Sequence, residues 1–567
     1  MAKYFHSACV NYRRRDLMSI IVRGFPPGCI FLLILICFPA YAIQPWSENP
    51  AYWEHEGAPI LLLGSSVTDH LFLGDGEVLT FAGTIDLLAQ LDEMQNIGAN
   101  YVRNTMSQRE NWPLVAFHRM EGGMDDGGKF NLDQFNDACD VRAPHGDIAS
   151  DCYWTRFNGF LRETAARDII VQIEVWDRFD YRYQVGADPN VFHRTSWLKS
   201  PWRPENNVNY SNAESGFSGT YPRHPSDDVH SFFHGVPGHP CYELAPSSDS
   251  DPCTNRSPIP APRKTQAQYD VVRHYQEAFV DKMLSYSLNY DHVLYVMNNE
   301  TSTHSSWGIY WMNYIRSKAA VRQKAVYVTD MFGSLFAPFP GQAGEVGVET
   351  YHNHPNLYNF LEVSQVNSKT MGSSVRENLQ NHWKKTQYII ENAMGNRFRP
   401  VNHVKIYDGL GTSLPLNSNM GIHQMVNNLL LGAASVRHHR PFRRDQTSIL
   451  LFPNSIQAIR MVENKVKFWD LEPLNALLSA RKDGEAFLAA QKGEAYVLYF
   501  PRGGSVGLNL KAWVGQPFVL DWMNYSEARW LSPSSRIEGG KVRTITAPDS
   551  GSWIAVMTKQ TSAKTSK

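Results

Sequence analysis

Apolar residues along the chain fall into two alternating rhythms. Short, nearly continuous apolar runs stand at 60–67, 100–105, 169–176, 292–299, 325–330, 359–365, 401–407 and 433–438, the signature of strands covered on both faces. Between them, at 84–97, 150–167, 266–288 and 378–393, apolar residues return every three or four positions, as on an amphipathic helix. Strand and helix in alternation build a parallel sheet, and eight repeats can close it on itself. The pattern predicts an α/β fold, a (β/α)8 TIM barrel over 43–480, with 454–478 as the helices that end it. One long interruption, 181–264, is rich in Pro, Ser, Asn, His and Gly. Its place after the third strand puts it among the loops around the open end of a barrel. From 485 the rhythm shortens to strands at 485–491, 494–500, 505–510, 518–522, 542–547 and 553–557, which predicts a small antiparallel β-sandwich over 485–558.

Composition changes this picture little but narrows the partner. Hydrophobic residues make up 43% of the 567 and charged residues 19%, enough for a large interior. The 54 Lys and Arg nearly cancel the 55 Asp and Glu, so no net charge draws the chain to nucleic acid or an acidic membrane. Aromatics reach 12%, with 15 Trp and 26 Tyr, flat amphipathic surfaces suited either to a core or to the faces of sugars.

The N-terminus carries an address. Arg13, Arg14 and Arg15 precede an apolar run from Cys29 to Cys37, followed by Ala40-Tyr41-Ala42. This is the order of a secretory signal, so a signal peptide over 1–42, cleavage after Ala42 and a secreted or periplasmic protein are expected. The run is short for a span of roughly 20 residues, so no membrane anchor is expected after cleavage. Of seven cysteines, Cys139, Cys152, Cys241 and Cys253 follow the signal. Pairing Cys139 with Cys152 and Cys241 with Cys253 gives the shortest closures of the three connectivities possible.

Chemistry in a barrel gathers where strands end and the following loops begin. Those tips hold Asp69 and His70, Arg103 and Asn104, Trp176 and Asp177, Asn299 and Glu300, Asp330, Gln365, then Lys405, Tyr407 and Asp408. Asn299-Glu300 is the sharpest local signal: an apolar strand ends in an amide followed by a carboxylate. In such a pair the amide can hold a sugar hydroxyl while the acid gives a proton to the leaving oxygen. Glycoside cleavage needs a second carboxylate, for which Asp408 ranks first, with Glu349, Glu362 and Asp177 as the alternatives. Asp69, His70, Arg103, Asn104, Trp176, Asp177, Asn299, Asp330, His352, Gln365, Lys405 and Tyr407 are expected to position substrate. No zinc spacing, phosphate loop or dinucleotide fingerprint occurs, so no cofactor is expected.

Asn49-Pro50-Ala51-Tyr52-Trp53, Gly57-Ala58-Pro59-Ile60-Leu61-Leu62-Leu63-Gly64-Ser65 and Gly98-Ala99-Asn100-Tyr101-Val102-Arg103 resemble the opening of apiosidase-like and related clan A barrel glycosidases. Met297-Asn298-Asn299-Glu300 is similar to their strand-four acid. The stretch from Asp521-Trp522-Met523-Asn524 to Ser550-Gly551-Ser552-Trp553 is similar to the β-domain, of collagen-binding type, that follows such barrels. The resemblance implies an exported glycoside hydrolase acting on a carbohydrate by paired-carboxylate catalysis with retention. It departs at strand seven, where no Glu stands in the nucleophile position. That departure keeps open an inactive carbohydrate-binding barrel, and the β-domain's label a matrix-adhesion protein.

Overall fold

The computed structural model describes residues 42–66, 78–79, 83–84, 87–106, 115–120, 128–137, 152–181, 196–217, 231–243, 264–301, 303–336, 346–368, 372–407, 420–439, 450 and 452–560. The signal region therefore lies outside the described residues, as do Asp69, His70, Cys139, Cys253 and Asp408. Cys152 and Cys241 each belong to a disulfide.

Among the described residues, eight parallel strands organise the part of the chain before 440: β1 (Leu62–Ser66), β2 (Tyr101–Thr105), β3 (Ile170–Asp177), β4 (Val293–Asn299), β5 (Val328–Thr329), β6 (Leu361–Glu362), β7 (Val401–Tyr407) and β8 (Ser435–His439). They form two parallel four-stranded sheets, one running β5-β4-β3-β2 and the other β6-β7-β8-β1. Both seams between the sheets are stitched in the same manner. Asn100 N–H donates to Leu63 O and its side-chain Oδ1 accepts from Leu63 N. Asn359 does the same with Val328, and a parallel bridge joins Met331 to Glu362 beyond it. Hydrogen bonds thus pass from each strand to the next in chain order and return from β8 to β1.

Strands β5 and β6 are each only two residues long, much shorter than the apolar runs that predicted them; at β6 a helical turn (Ser364–Ser368) takes up the end of the run. Helices α1 (Leu87–Asn96), α2 (Tyr153–Ala165), α3 (Gln266–Ser287), α4 (Ser306–Val321), α5 (Val375–Ala393), α6 (Met420–Leu430) and α7 (Pro453–Glu463) separate or follow the strands. Thr265 opens α3 with a reciprocal capping box to Gln268, satisfying two donors that a helix start leaves free. Trp53, fully buried, meets Tyr327 and Phe360 edge-on and donates from Nε1 to Asn402. All three partners lie at strand starts, so Trp53 stops the end opposite the strand tips.

The antiparallel part begins at Glu472, ahead of the expected 485. Strands at Glu472–Pro473 and Leu478–Ser479 occupy a stretch that helical spacing had claimed. A six-stranded and a three-stranded sheet follow, including an exposed strand, Arg529–Glu538, that lacks an apolar signal. The central strands of the six-stranded sheet are covered on both faces. Phe487, Val497, Tyr499 and Val556 join the core of the parallel part, while Leu488, Leu498, Phe500 and Met557 join a second core with Val506, Leu508 and Ile545. Side-chain alternation in a strand explains the split.

Candidate active site

The interior of the strand ring is polar. At its lower level Tyr101, Gln172, Glu362 and Asn402 form one network: Gln172 Oε1 accepts from Tyr101 and Asn402, and Gln172 Nε2 donates to Glu362 at 3.1 Å. Burial pushes the Glu362 carboxyl up to about 7, against donation from Ser364 and Gln172. One level higher, Arg103 grips both oxygens of Glu174, which also accepts from Thr105 at 2.8 Å. Both members of this ion pair are fully buried. Arg437 of β8 donates to Ser66 and to Val404 O. Gly64 in β1 has no room for a side chain, since a Cβ would lie 2.2 Å from Tyr101 O and 3.0 Å from the Arg437 side chain.

Glu300 sits at the tip of this column. The strand before it is extended, but Glu300 itself turns into the left-handed region at φ 61°, a conformation that costs a non-glycine residue about 1 kcal/mol or more and persists where surroundings impose it. Its Oε1 meets Lys405 Nζ from β7 at 2.8 Å, and its Oε2 meets Arg178 Nη2 from the turn after β3 at 2.8 Å. Lys405 also donates to Asn299. The Glu300 side chain retains 15% exposure and Arg178 12%, against 2% for Lys405, so solvent reaches the cluster from the side of Glu300 and Arg178. Burial opposes its ionisation, but Lys405 and Arg178 outweigh that and hold the carboxyl below the usual range. Burial in turn lowers Lys405, while Glu300 opposes the shift.

The structure thus brings together Asn299, Glu300 and Lys405, with Arg103 close enough to act on the last two through its charge. Tyr407 and His439 pack edge to face at the ends of β7 and β8. Asp177 accepts from the N–H of Phe179 and so shapes the turn that delivers Arg178. Gln365 lies on the helical turn after β6. Arg178 escaped the sequence reading, although it directly follows the chosen Asp177.

Other expected contacts are placed elsewhere. Trp176 is buried, its ring against Phe279, Trp307 and Trp311 of α3 and α4; it belongs to the aromatic packing under the helices, not to a sugar platform. Among the described residues the side chain of Asn104, fully buried, reaches only Thr105 O and Met106 Sδ. Arg103 is sealed under Glu174 with no exposed surface, and Asp330 is likewise fully buried. Glu349 is exposed on the short helix Gly347–Asn353. His352 on the same helix is exposed and faces Asn392 O; neither joins Glu300. Helical spacing turned these two outward, a direction their sequence neighbourhood of histidines and aromatics did not convey.

No protein-family model matches the sequence, and no curated protein does. Solved structures match the fold. A glycoside hydrolase family 5 structure from Bacteroides vulgatus superposes with a TM-score of 0.52 at 11% identity, covering 91% of this chain and 93% of its own. A second structure described as a glycoside hydrolase gives 0.53 at 9% identity, covering 91% and 97%. Likeness at such identity is a likeness of fold.

Proposed function

We propose that this chain is an exported glycoside hydrolase, a (β/α)8 barrel carrying a β-sandwich, in which Glu300 is the central carboxylate. One observation carries the reading: an Asn-Glu pair closes the fourth of eight parallel strands, and its acid points across the ring to the seventh. Strand tips of this kind, surrounded by loops, are where barrel enzymes hold their chemistry. The glycoside hydrolases that share the fold are consistent with a carbohydrate substrate.

In this mechanism Glu300 gives a proton to the leaving oxygen and later takes one from water. The free protein keeps Glu300 as an anion between two cations. A bound glycan must therefore draw Arg178, which arrives on a turn, away from the carboxylate. With one cation gone, burial raises the acid toward protonation. Asp408, directly beyond β7, supplies the second carboxylate; a separation of about 5 to 5.5 Å from Glu300 supports retention, and roughly 6.5 to 9.5 Å inversion. The pairings Cys139–Cys152 and Cys241–Cys253 staple the loops of an exported protein.

A barrel that binds a carbohydrate without cleaving it is the second reading, favoured by Lys405: β7 presents a cation to Glu300 where the resemblance calls for an acid. Screening the purified protein against aryl glycosides and polysaccharides, with Glu300→Gln as control, separates the two. Product release lost in the variant supports hydrolysis. Glycan binding without release supports the second reading, and absence of any sugar interaction removes both.

A further inference from the structure

We infer that Asp330 is a positioning residue for Glu300, bracing the backbone on both sides of the Asn299-Glu300 turn; the inference rests on the hydrolase reading above. Asp330 follows β5 and is fully buried, so it cannot touch a glycan. Its Oδ1 accepts from Asn298 N at 3.1 Å, Thr301 Oγ1 at 2.6 Å and Met331 N at 2.9 Å. The first two donors flank the pair, one on each side. Main-chain bonds from Thr301 N to Met331 O and from Gly333 N to Thr301 O, both 2.6 Å, tie the same turn to the loop after β5. Gly333 also keeps that loop close, since a Cβ there would lie 3.1 Å from Glu300 O and 3.3 Å from Arg178 Nη1.

The other oxygen explains a glycine in a helix. Oδ2 has no hydrogen-bond partner among the described residues and lies against Gly308 of α4, where a Cβ would approach it to 2.4 Å. Gly308 stands in the first turn of α4, where glycine offers a helix nothing that alanine does not, and a buried carboxyl is costly unless its atoms are bonded. Burial raises Asp330 to about 7, so the oxygen without donors can carry the proton. A buried acid and a helical glycine meet at one place, and every side-chain bond made there goes to the turn or its neighbour. Their common product is the left-handed Glu300, whose displacement by about 1 Å would cost on the order of 100-fold in rate.

The test uses the full chain and three variants, Asp330→Asn, Asp330→Ala and Gly308→Ala, assayed on whichever glycoside the wild type cleaves. Asp330→Asn keeps the accepting oxygen and should retain kcat within a few-fold. Asp330→Ala removes the brace, and Gly308→Ala pushes it aside from behind; both should lower kcat on the order of 100-fold with KM nearly unchanged. Wild-type kcat in Gly308→Ala, or equal losses in Asp330→Asn and Asp330→Ala, would overturn the inference. If Asp330→Ala does not fold, the other two still decide it. If the wild type cleaves nothing, the hydrolase reading fails on its own. Crystal structures of wild type and Gly308→Ala then decide the brace: Glu300 parted from Lys405 upholds it, and an unmoved Glu300 refutes it.

Discussion

Glu300 and Lys405 meet at 2.8 Å across the interior, one from the end of the fourth parallel strand and the other from within the seventh. The folded carboxyl of Glu300 is held below its unfolded value, so this pair stabilises the fold fully above about pH 4.3 and loses its effect as pH falls below that. Lys405→Met strands a buried carboxylate on one cation and should cost about 3 kcal/mol at pH 7. Urea unfolding at pH 7 and pH 3.5 should show the gap from wild type narrowing in acid. Adding Glu300→Gln to Lys405→Met should recover part of the loss, because no unpaired charge then remains.

Arg103 and Glu174 make the deeper pair, without exposed surface on either side. Glu174→Gln leaves a guanidinium buried beside a neutral amide and should destabilise by about 3 kcal/mol. The drop should persist at high salt, since water and ions do not reach the site. Thermal melts at low and high ionic strength check this.

Asp330 reverses the usual dependence on pH. Its carboxyl sits near 7 in the fold and near 3.9 in an unfolded chain. The native state therefore keeps a proton that the unfolded state has lost, and stability falls as pH rises from about 4 through 7. Asp330→Asn has no such proton to lose. Its stability relative to wild type should rise between pH 5 and pH 8, by roughly 3 kcal/mol, in denaturant titrations at the two values.

Trp176 separates packing from sugar contact. It lies in the aromatic cluster under α3 and α4, so Trp176→Ala should destabilise by about 3 to 5 kcal/mol. Trp176→Phe should keep most of the stability and leave KM for a glycoside unchanged. A tenfold rise in KM with an unaltered melting temperature would return Trp176 to the sugar site.

The register of β7 shows where reading along the chain stops. Asn402 and Lys405 both face the ring interior, as their bonds to Gln172 and Glu300 require. They are three residues apart, and a strand with strict alternation would point them to opposite faces. A bulge between His403 and Ile406 reconciles them, and bulges re-aim side chains in this way. Nothing in Val401-Asn402-His403-Val404-Lys405 announces it. Arg178 was missed for a related reason: its partner is 122 residues away, and the turn that aims it is shaped by Asp177.

By itself the chain determined the alternation of strand and helix, the double-sided burial that makes the central strands apolar, and an acid at the tip of the fourth strand. These are local properties, written in spacings of two and about three and a half residues that each segment carries alone. Which polar group faces which was decided only by the folded whole. Burial makes an unpaired charge so costly that an interior carboxylate such as Glu300 holds its charge only beside cations delivered from elsewhere in the chain. For Glu300 those cations are Arg178 and Lys405, and no window of sequence contains all three.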